Sequence, residues 1–235
     1  MALMRVLGVA ALLFSFIAAA ECPRPEGVKS GSVGGQDDAA RLAFLVKKLQ
    51  HDGHWARTRI GLFGGGLSAA VIGQLALAAT LPESDRPAMY WGAGASAVGV
   101  ASVLFNPLDV VYGGDEFARK AANANPENTC ELIAEGERML FKGADQELAG
   151  RAWYMHVLNV AFNVGVGMAI GFIHKLWTNA VVNGLVGIAI GEAMLFTIPL
   201  GLVHGRDAYR GKESPVSFML SPAAGGPGLG LTMSF

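Results

Sequence analysis

One carboxylate, Glu192, lies inside an otherwise uncharged apolar stretch at residues 178–203. A carboxylate near the middle of a membrane span costs about 2.5–3.5 kcal/mol on insertion scales, more than several leucines recover. Such a group is expected to have polar partners within the protein, and carboxylates with such partners are where membrane proteins hold protons or cations. Glu192 is therefore the strongest candidate for chemistry in this chain.

The partners are expected on the preceding apolar stretch, residues 152–173, which a short link joins to the stretch of Glu192. An antiparallel fold about Leu176 sets Glu192 level with residues near position 161. Three polar residues recur there at i, i+3 and i+7, on one face of a helix: His156, Asn159 and Asn163. We predict a polar intramembrane cluster of these residues with Glu192. Two interpretations stay open, since the groups could lock two helices together or hold a proton or cation.

The cysteines and a histidine pair are the other candidates for site chemistry. In an exported chain, Cys22 and Cys130 would share an oxidising compartment and could form a disulfide. The alternative places Cys130 simply on the apolar face of a helix. His51 and His54 stand three residues apart, as two metal ligands would, but no third ligand is evident, so we expect a solvated helix end without a metal. We predict no cofactor.

The string Gly113-Gly114-Asp115-Glu116-Phe117 resembles the signature of diguanylate cyclases. In that family a Gly-Gly turn approaches the GTP phosphates and the acids serve metal ions, so the resemblance implies GTP chemistry on an α/β domain. It covers five residues, and the segment between the neighbouring apolar stretches is too short for such a domain. We interpret the string as a chance match in which Gly113-Gly114 turn the chain, and predict no enzymatic activity.

Four stretches are long and apolar enough to cross a bilayer, which takes about 20 residues at a rise of 1.5 Å each. Their lack of period-two alternation excludes strands. Short links make each consecutive pair an antiparallel helical hairpin, so we predict an all-α membrane protein with two transmembrane hairpins. The predicted spans are 60–81, 88–108, 152–173 and 178–203. Tryptophans and tyrosines near the span ends favour the membrane interface: Trp55, Tyr90, Trp91, Trp153, Tyr154 and Trp177.

An amphipathic polar helix is predicted before each hairpin, at about 37–50 and about 127–149, on the membrane surface or against the bundle. The order polar helix, span, span thus occurs twice, in a first unit at 21–112 and a second at 113–213. A shift of about 98 residues superposes several residues, including Trp55 on Trp153 and Asp109 on Asp207. These observations favour an internal duplication that forms a parallel two-fold repeat.

Residues 1–20 have the pattern of a cleavable signal peptide, and the alternative is that they stay as a membrane anchor, with the basic segments facing the cytoplasm. Export would place both polar helices outside and leave only the two links, with Arg86 and Lys175, inside. This reverses the usual cytoplasmic excess of Lys and Arg, so the two signals disagree about orientation. We favour export to the cell envelope, with the inner membrane preferred over the outer. The Pro/Gly-rich tail at 214–235 is predicted to be a flexible end or a docking β-hairpin.

The composition of the chain limits the classes of function that it can have. The chain has 235 residues, of which 52% are hydrophobic and 16% charged, against roughly 25% charged residues in a soluble domain. A net charge of −1 leaves no basic excess for binding nucleic acid.

Small residues recur every four positions along the spans, a spacing that lets membrane helices approach closely. The faces are Gly61/Gly65/Ala69/Gly73, Gly92/Ser96, Gly167/Gly171 and Gly187/Gly191. We therefore predict a non-enzymatic scaffold or assembly protein of the envelope, in contact with membrane lipid and associating with itself or with other envelope proteins. The alternative is a small transporter or channel that uses the cluster around Glu192.

Overall fold

The computed structural model describes residues 21–105 and 108–212, which form α-helices and a short 3-10 turn at Val33–Gly35 but no strand. The all-α prediction is confirmed for these residues. The predicted signal peptide at 1–20 and the predicted tail at 214–235 lie outside them. The helices are α1 Asp38–Thr80, α2 Arg86–Phe105, α3 Val110–Ala121, α4 Thr129–Gly150, α5 Trp153–His174, α6 Trp177–Phe196 and α7 Gly201–Arg210.

Helix α1 runs without interruption through the predicted polar helix at 37–50 and the predicted span at 60–81. The prediction of two separate elements is wrong here, because the intervening residues contain no proline and only one glycine, Gly53. A glycine inside a helix costs only about 1 kcal/mol. Gly53 also allows a close helix contact, since a Cβ at this position would lie 2.7 Å from the Val110 carbonyl oxygen.

The predicted span at 178–203 is divided in the structure. Helix α6 ends at Phe196 and α7 begins at Gly201. The break contains Pro199, which lacks the N–H that a continuous helix needs and disfavours helical geometry at Ile198. After the break, α7 leaves the apolar helices and packs against α4.

Helix α3 contains the Gly-Gly string, so the prediction that Gly113-Gly114 turn the chain is wrong. A Cβ at Gly114 would lie 2.5 Å from the Leu49 carbonyl oxygen. A Cβ at Gly113 would lie equally close to the end of the Met139 side chain. The two glycines therefore let α3 pack directly against α1 and α4. The predicted boundary between units, at residues 112 and 113, falls inside this helix.

The polar half of α1 packs with α3, α4 and α7 into a helical domain, called here the polar domain (residues 21–56, 108–150 and 201–212). Cys22 and Cys130 form a disulfide that joins the N-terminal segment to α4. The two polar helices thus pack against each other, an arrangement that their amphipathic patterns did not predict. The largest buried apolar side chains of this core are Leu45, Leu49, Phe117, Ile133, Leu140, Leu202 and Tyr209.

The apolar half of α1, with α2, α5 and α6, forms the second part of the molecule, called here the membrane bundle. These helices belong to four segments that are long and apolar enough to span a membrane. Helix α1 contacts α2, and α5 contacts α6, across links at 81–85 and 175–176. Large apolar side chains stay exposed, such as Leu62 and Ile72 at 69% each. Soluble monomers seldom expose continuous apolar surface of this kind, which supports a membrane protein.

The helices recur at an offset of 91 residues, rather than the shift of about 98 that residue matches suggested. At this offset Leu49 corresponds to Leu140 and Gly114 to Gly205. A Cβ at Gly114 would lie beside the Leu49 carbonyl, whereas a Cβ at Gly205 would lie beside the side chains of Lys48 and Leu140. An internal duplication stays a prediction, which the regular offset favours. The equivalent helix starts are Asp38 and Thr129, Arg86 and Trp177, and Val110 and Gly201.

Candidate intramembrane polar site

The reversal between α5 and α6 sets the register of the candidate site. Lys175 has a φ of 63°, the left-handed conformation that often ends a helix. Its N–H donates to the Gly171 carbonyl at 3.0 Å. Helix α6 begins two residues later and runs back along α5, which places Glu192 beside the face of α5 that carries His156 and Asn159.

Both carboxylate oxygens of Glu192 have partners on α5. Its Oε1 accepts from Asn159 Nδ2 at 2.9 Å, and its Oε2 lies 2.6 Å from His156 Nδ1. Asn163 is buried and donates Nδ2 to Asn159 Oδ1 at 2.9 Å. The structure therefore brings the four residues together as one continuous chain of hydrogen bonds, which runs from the buried Asn163 to the partly exposed Glu192 and His156.

Two glycines of α6 make room for the asparagines. A Cβ at Gly191 would overlap the side-chain amide of Asn159, and a Cβ at Gly187 would overlap that of Asn163. The four-residue spacing of these glycines therefore serves the close approach of polar side chains to α6. A larger residue at either position would displace an amide from the cluster.

A cavity of about 330 Å³ lies between the α1–α2 pair and the α5–α6 pair, and Asn159 and Asn163 line it. Gln74 of α1 lines it as well and donates Nε2 to Ser96 Oγ of α2 at 3.3 Å. The Gln74 Oε1 atom is buried without a hydrogen-bond partner among the described residues. Asn183 of α6 adds another amide to a wall that is otherwise largely apolar.

The lining offers hydrogen-bonding groups to a ligand. Its neutral amides and hydroxyls provide donors and acceptors to a polar solute or a cation. Glu192 and His156 are connected to the cavity by the hydrogen bond between Glu192 and Asn159, which lines it. A carboxylate within hydrogen-bond distance of an imidazole nitrogen can exchange a proton with it, so the arrangement can bind a polar ligand and hold a proton beside it.

The other candidate residues are not assembled into sites. His51 and His54 are both exposed on α1, and no third metal-ligating side chain groups with them in the described part of the chain. Asp115 of the Gly-Gly string forms an ion pair with Arg57 at 2.6 Å. These side chains therefore behave as surface residues of the polar domain.

The polar domain contains a buried ionic network that was not predicted. Arg41, with no exposed surface, donates to Glu137 at 2.7 Å, to the Tyr209 hydroxyl at 3.2 Å and to the Cys22 carbonyl at 3.1 Å. Tyr209 also donates its hydroxyl to Glu137. The sequence contains one signal for this burial, since Arg41 precedes Leu45 by four residues and so shares its apolar face.

A second buried carboxylate holds the first turn of α7. Glu147 of α4 has no exposed surface and accepts the N–H of Val203 at 3.0 Å. Burial raises the pKa of Glu147 to about 7; the hydrogen bonds from α7 oppose this shift, and the neighbouring charge of Asp52 adds to it. Glu147 therefore changes charge near neutral pH at a position that anchors α7.

Comparison of the chain with protein-family models, with curated proteins and with solved structures found no match.

Proposed function

We propose that this chain is a non-enzymatic integral membrane protein of the cell envelope that assembles with copies of itself or with other envelope proteins. In this proposal α1–α2 and α5–α6 are transmembrane hairpins, and the 91-residue offset reflects an internal duplication. The polar domain lies on one side of the membrane, and the links at 81–85 and 175–176 lie on the other. The four apolar helices and their exposed outer surface support this arrangement.

The Cys22–Cys130 disulfide supports export of the polar domain. Disulfides persist in oxidising compartments and are rare in the cytosol. The Lys and Arg residues of the polar domain favour the opposite orientation. Several of them are paired with carboxylates, however, as in Arg41–Glu137. We give more weight to the disulfide, because a covalent bond in the core of the domain requires an oxidant on that side.

The observation that carries the assembly proposal is an unoccupied small-residue face on α1. In lipid, small residues four positions apart favour association by letting helix backbones approach. The other faces are filled within the chain, since Gly171 meets Trp177 and Gly187 meets Asn163. On α1, by contrast, no described residue lies within 4 Å of the position that a Cβ would take at each glycine of the face. The exposed residues of this α1 face are Gly61, Gly65, Ala69 and Gly73.

Replacing Gly65 by leucine should weaken self-association in liposomes about tenfold, because the larger side chain keeps the two backbones apart. Energy transfer between two labelled populations, followed as the ratio of protein to lipid is varied, measures the association. Gly94→Leu is the matched control. Gly94 is also exposed beside open space, but its neighbours four residues away are Tyr90 and Val98. A wild-type chain that stays monomeric, or equal losses in both variants, would contradict the proposal.

A second candidate function is a small transporter or channel, favoured by the polar cavity and the Glu192 chain. Ionisable groups inside a membrane protein are rare, and many of them mark solute or ion pathways. Here neutral amides line about 330 Å³ between the helix pairs, and a carboxylate–imidazole pair adjoins that space.

On this second candidate, the reconstituted chain should carry a proton or monovalent-cation flux, and Glu192→Gln should lower it roughly tenfold or more because an amide takes up no proton in this range. A pH-sensitive dye inside the liposomes, with an imposed cation gradient, reports the flux. Glu83→Gln, which alters an exposed carboxylate in the link at 81–85, is the control. If the wild type shows no flux, or if Glu192→Gln leaves the flux unchanged, the second candidate is contradicted. The cluster would then serve to hold α5 and α6 together.

A further inference from the structure

A second cavity, of about 380 Å³, lies where the polar domain meets the membrane bundle. Residues from α1 to α6 line it, so it lies at the ends of the apolar helices that adjoin the polar domain. Its walls are mostly aliphatic and methionine side chains, and Arg59 is the charged residue among those that line it. Ser102 and Gln146 add two neutral polar groups.

Among the residues that the structure describes, no carboxylate forms an ion pair with the Arg59 guanidinium. One of its terminal nitrogens donates to the Met194 carbonyl, and its carbon lies 5.4 Å from the centre of the Phe63 ring. Its Nε is buried without a hydrogen-bond partner, and no carboxylate of the described residues lies within 4.0 Å of it. A partly buried cation without a counter-charge among the described residues is unfavourable, which makes an anion the expected ligand.

The position of Arg59 favours an amphipathic anion as the ligand. Arg59 directly precedes the apolar half of α1. Exposed tryptophans lie close to the cavity lining in sequence, Trp55 one turn before Arg59 on α1 and Trp153 two residues before Met155 on α5. Aromatic side chains of this kind lie at the headgroup region of a bilayer, where lipid phosphates are concentrated. A guanidinium matches phosphate oxygens in pairs, and the apolar walls suit an acyl chain better than a hydrated inorganic ion.

We propose that this cavity binds one anionic phospholipid, with its phosphate on the Arg59 guanidinium and the start of an acyl chain against the apolar wall. The inference rests on the membrane placement in the proposed function and goes beyond it, since assembly through the α1 face needs no bound lipid. The lipid would fill the junction between the polar domain and the two helix pairs. It would thereby stabilise their relative positions.

The test is a lipid titration of delipidated full-length protein in neutral detergent, read as the midpoint of thermal unfolding and as bound lipid by native mass spectrometry. Phosphatidylglycerol should raise the midpoint and stay bound, whereas phosphatidylcholine and inorganic phosphate at equal concentration should do neither. Arg59→Gln should weaken the apparent affinity for phosphatidylglycerol about tenfold. Arg57→Gln is the matched control, because Arg57 lies one half-turn earlier on α1 and is already paired with Asp115.

The outcomes separate the sources of the anion. Equal effects of the two lipids on the wild type would overturn the proposal, as would equal losses in the Arg57 and Arg59 variants. Stabilisation by inorganic phosphate alone would assign the cavity to a free anion instead of a lipid. If Arg59→Gln does not fold, Arg59→Lys keeps the charge without the paired geometry and should bind with intermediate affinity. Self-association, measured in the same samples, should be unchanged, so failure here leaves the assembly proposal to its own test.

Discussion

Loss of the Cys22–Cys130 bridge should lower the free energy of unfolding of the polar domain by about 4–5 kcal/mol. The bridge joins residues 108 positions apart, so reduction frees a long loop in the unfolded chain. It also releases native contacts, since the Cys22 N–H donates to Asp38 at 3.0 Å and its carbonyl accepts from Arg41. The midpoint of guanidinium unfolding in detergent micelles, with and without reductant, measures the change.

The control is the double variant Cys22→Ala with Cys130→Ala. It should unfold at the same low midpoint as the reduced wild type and should not respond to reductant. Alkylation under denaturing conditions gives an independent readout, since the wild type should gain mass only after reduction. An identical midpoint for the oxidised and reduced wild type would show that the bridge contributes nothing to stability.

The pairing around Glu192 follows from the sequence because two local constraints are enough to locate it. A carboxylate in an apolar stretch requires partners, and a link of two residues between helices determines which residues of the preceding helix lie opposite it. Asn159 and His156 satisfy both constraints. The cavity beside them depends on how the two helix pairs pack, and neither pair contains a local pattern for that. Gln74 was accordingly not a candidate.

The incorrect predictions have a common physical cause. Packing between elements that are distant in sequence outweighs the structural preferences of the local sequence. The change from polar to apolar composition near residue 55 suggested a boundary, yet a helix ends only where its backbone bonding is interrupted, as at Pro199. Gly113 and Gly114 suggested a turn, yet the contact between α3 and the backbone of α1 requires a small residue at Gly114. In each case the composition was interpreted as a change of element, although the backbone remained helical.

The second large predicted effect on stability comes from the buried ionic network around Arg41. Arg41→Met should destabilise the polar domain by about 3–5 kcal/mol, because it leaves Glu137 buried without its counter-charge. Guanidinium unfolding in micelles, as for the disulfide, measures the loss. Arg138→Met is the matched control, since Arg138 is the exposed neighbour of Glu137 on α4 and should change stability by less than about 0.5 kcal/mol.

A combined variant separates the charge pair from the space it fills. Arg41→Met together with Glu137→Leu and Tyr209→Phe removes the buried charges of Arg41 and Glu137, keeps similar volume and leaves the partly exposed carboxylate of Asp38 as a remaining charge, so most of the lost stability should return. Recovery of stability would mean that Arg41→Met is destabilised by the unpaired carboxylate of Glu137. A combined variant as unstable as Arg41→Met would mean that the bonds of Arg41 to the Cys22 and Pro23 carbonyls hold the N-terminal segment in place. The disulfide and the ionic network would then stabilise the same contact between that segment and α4, and their losses should not add.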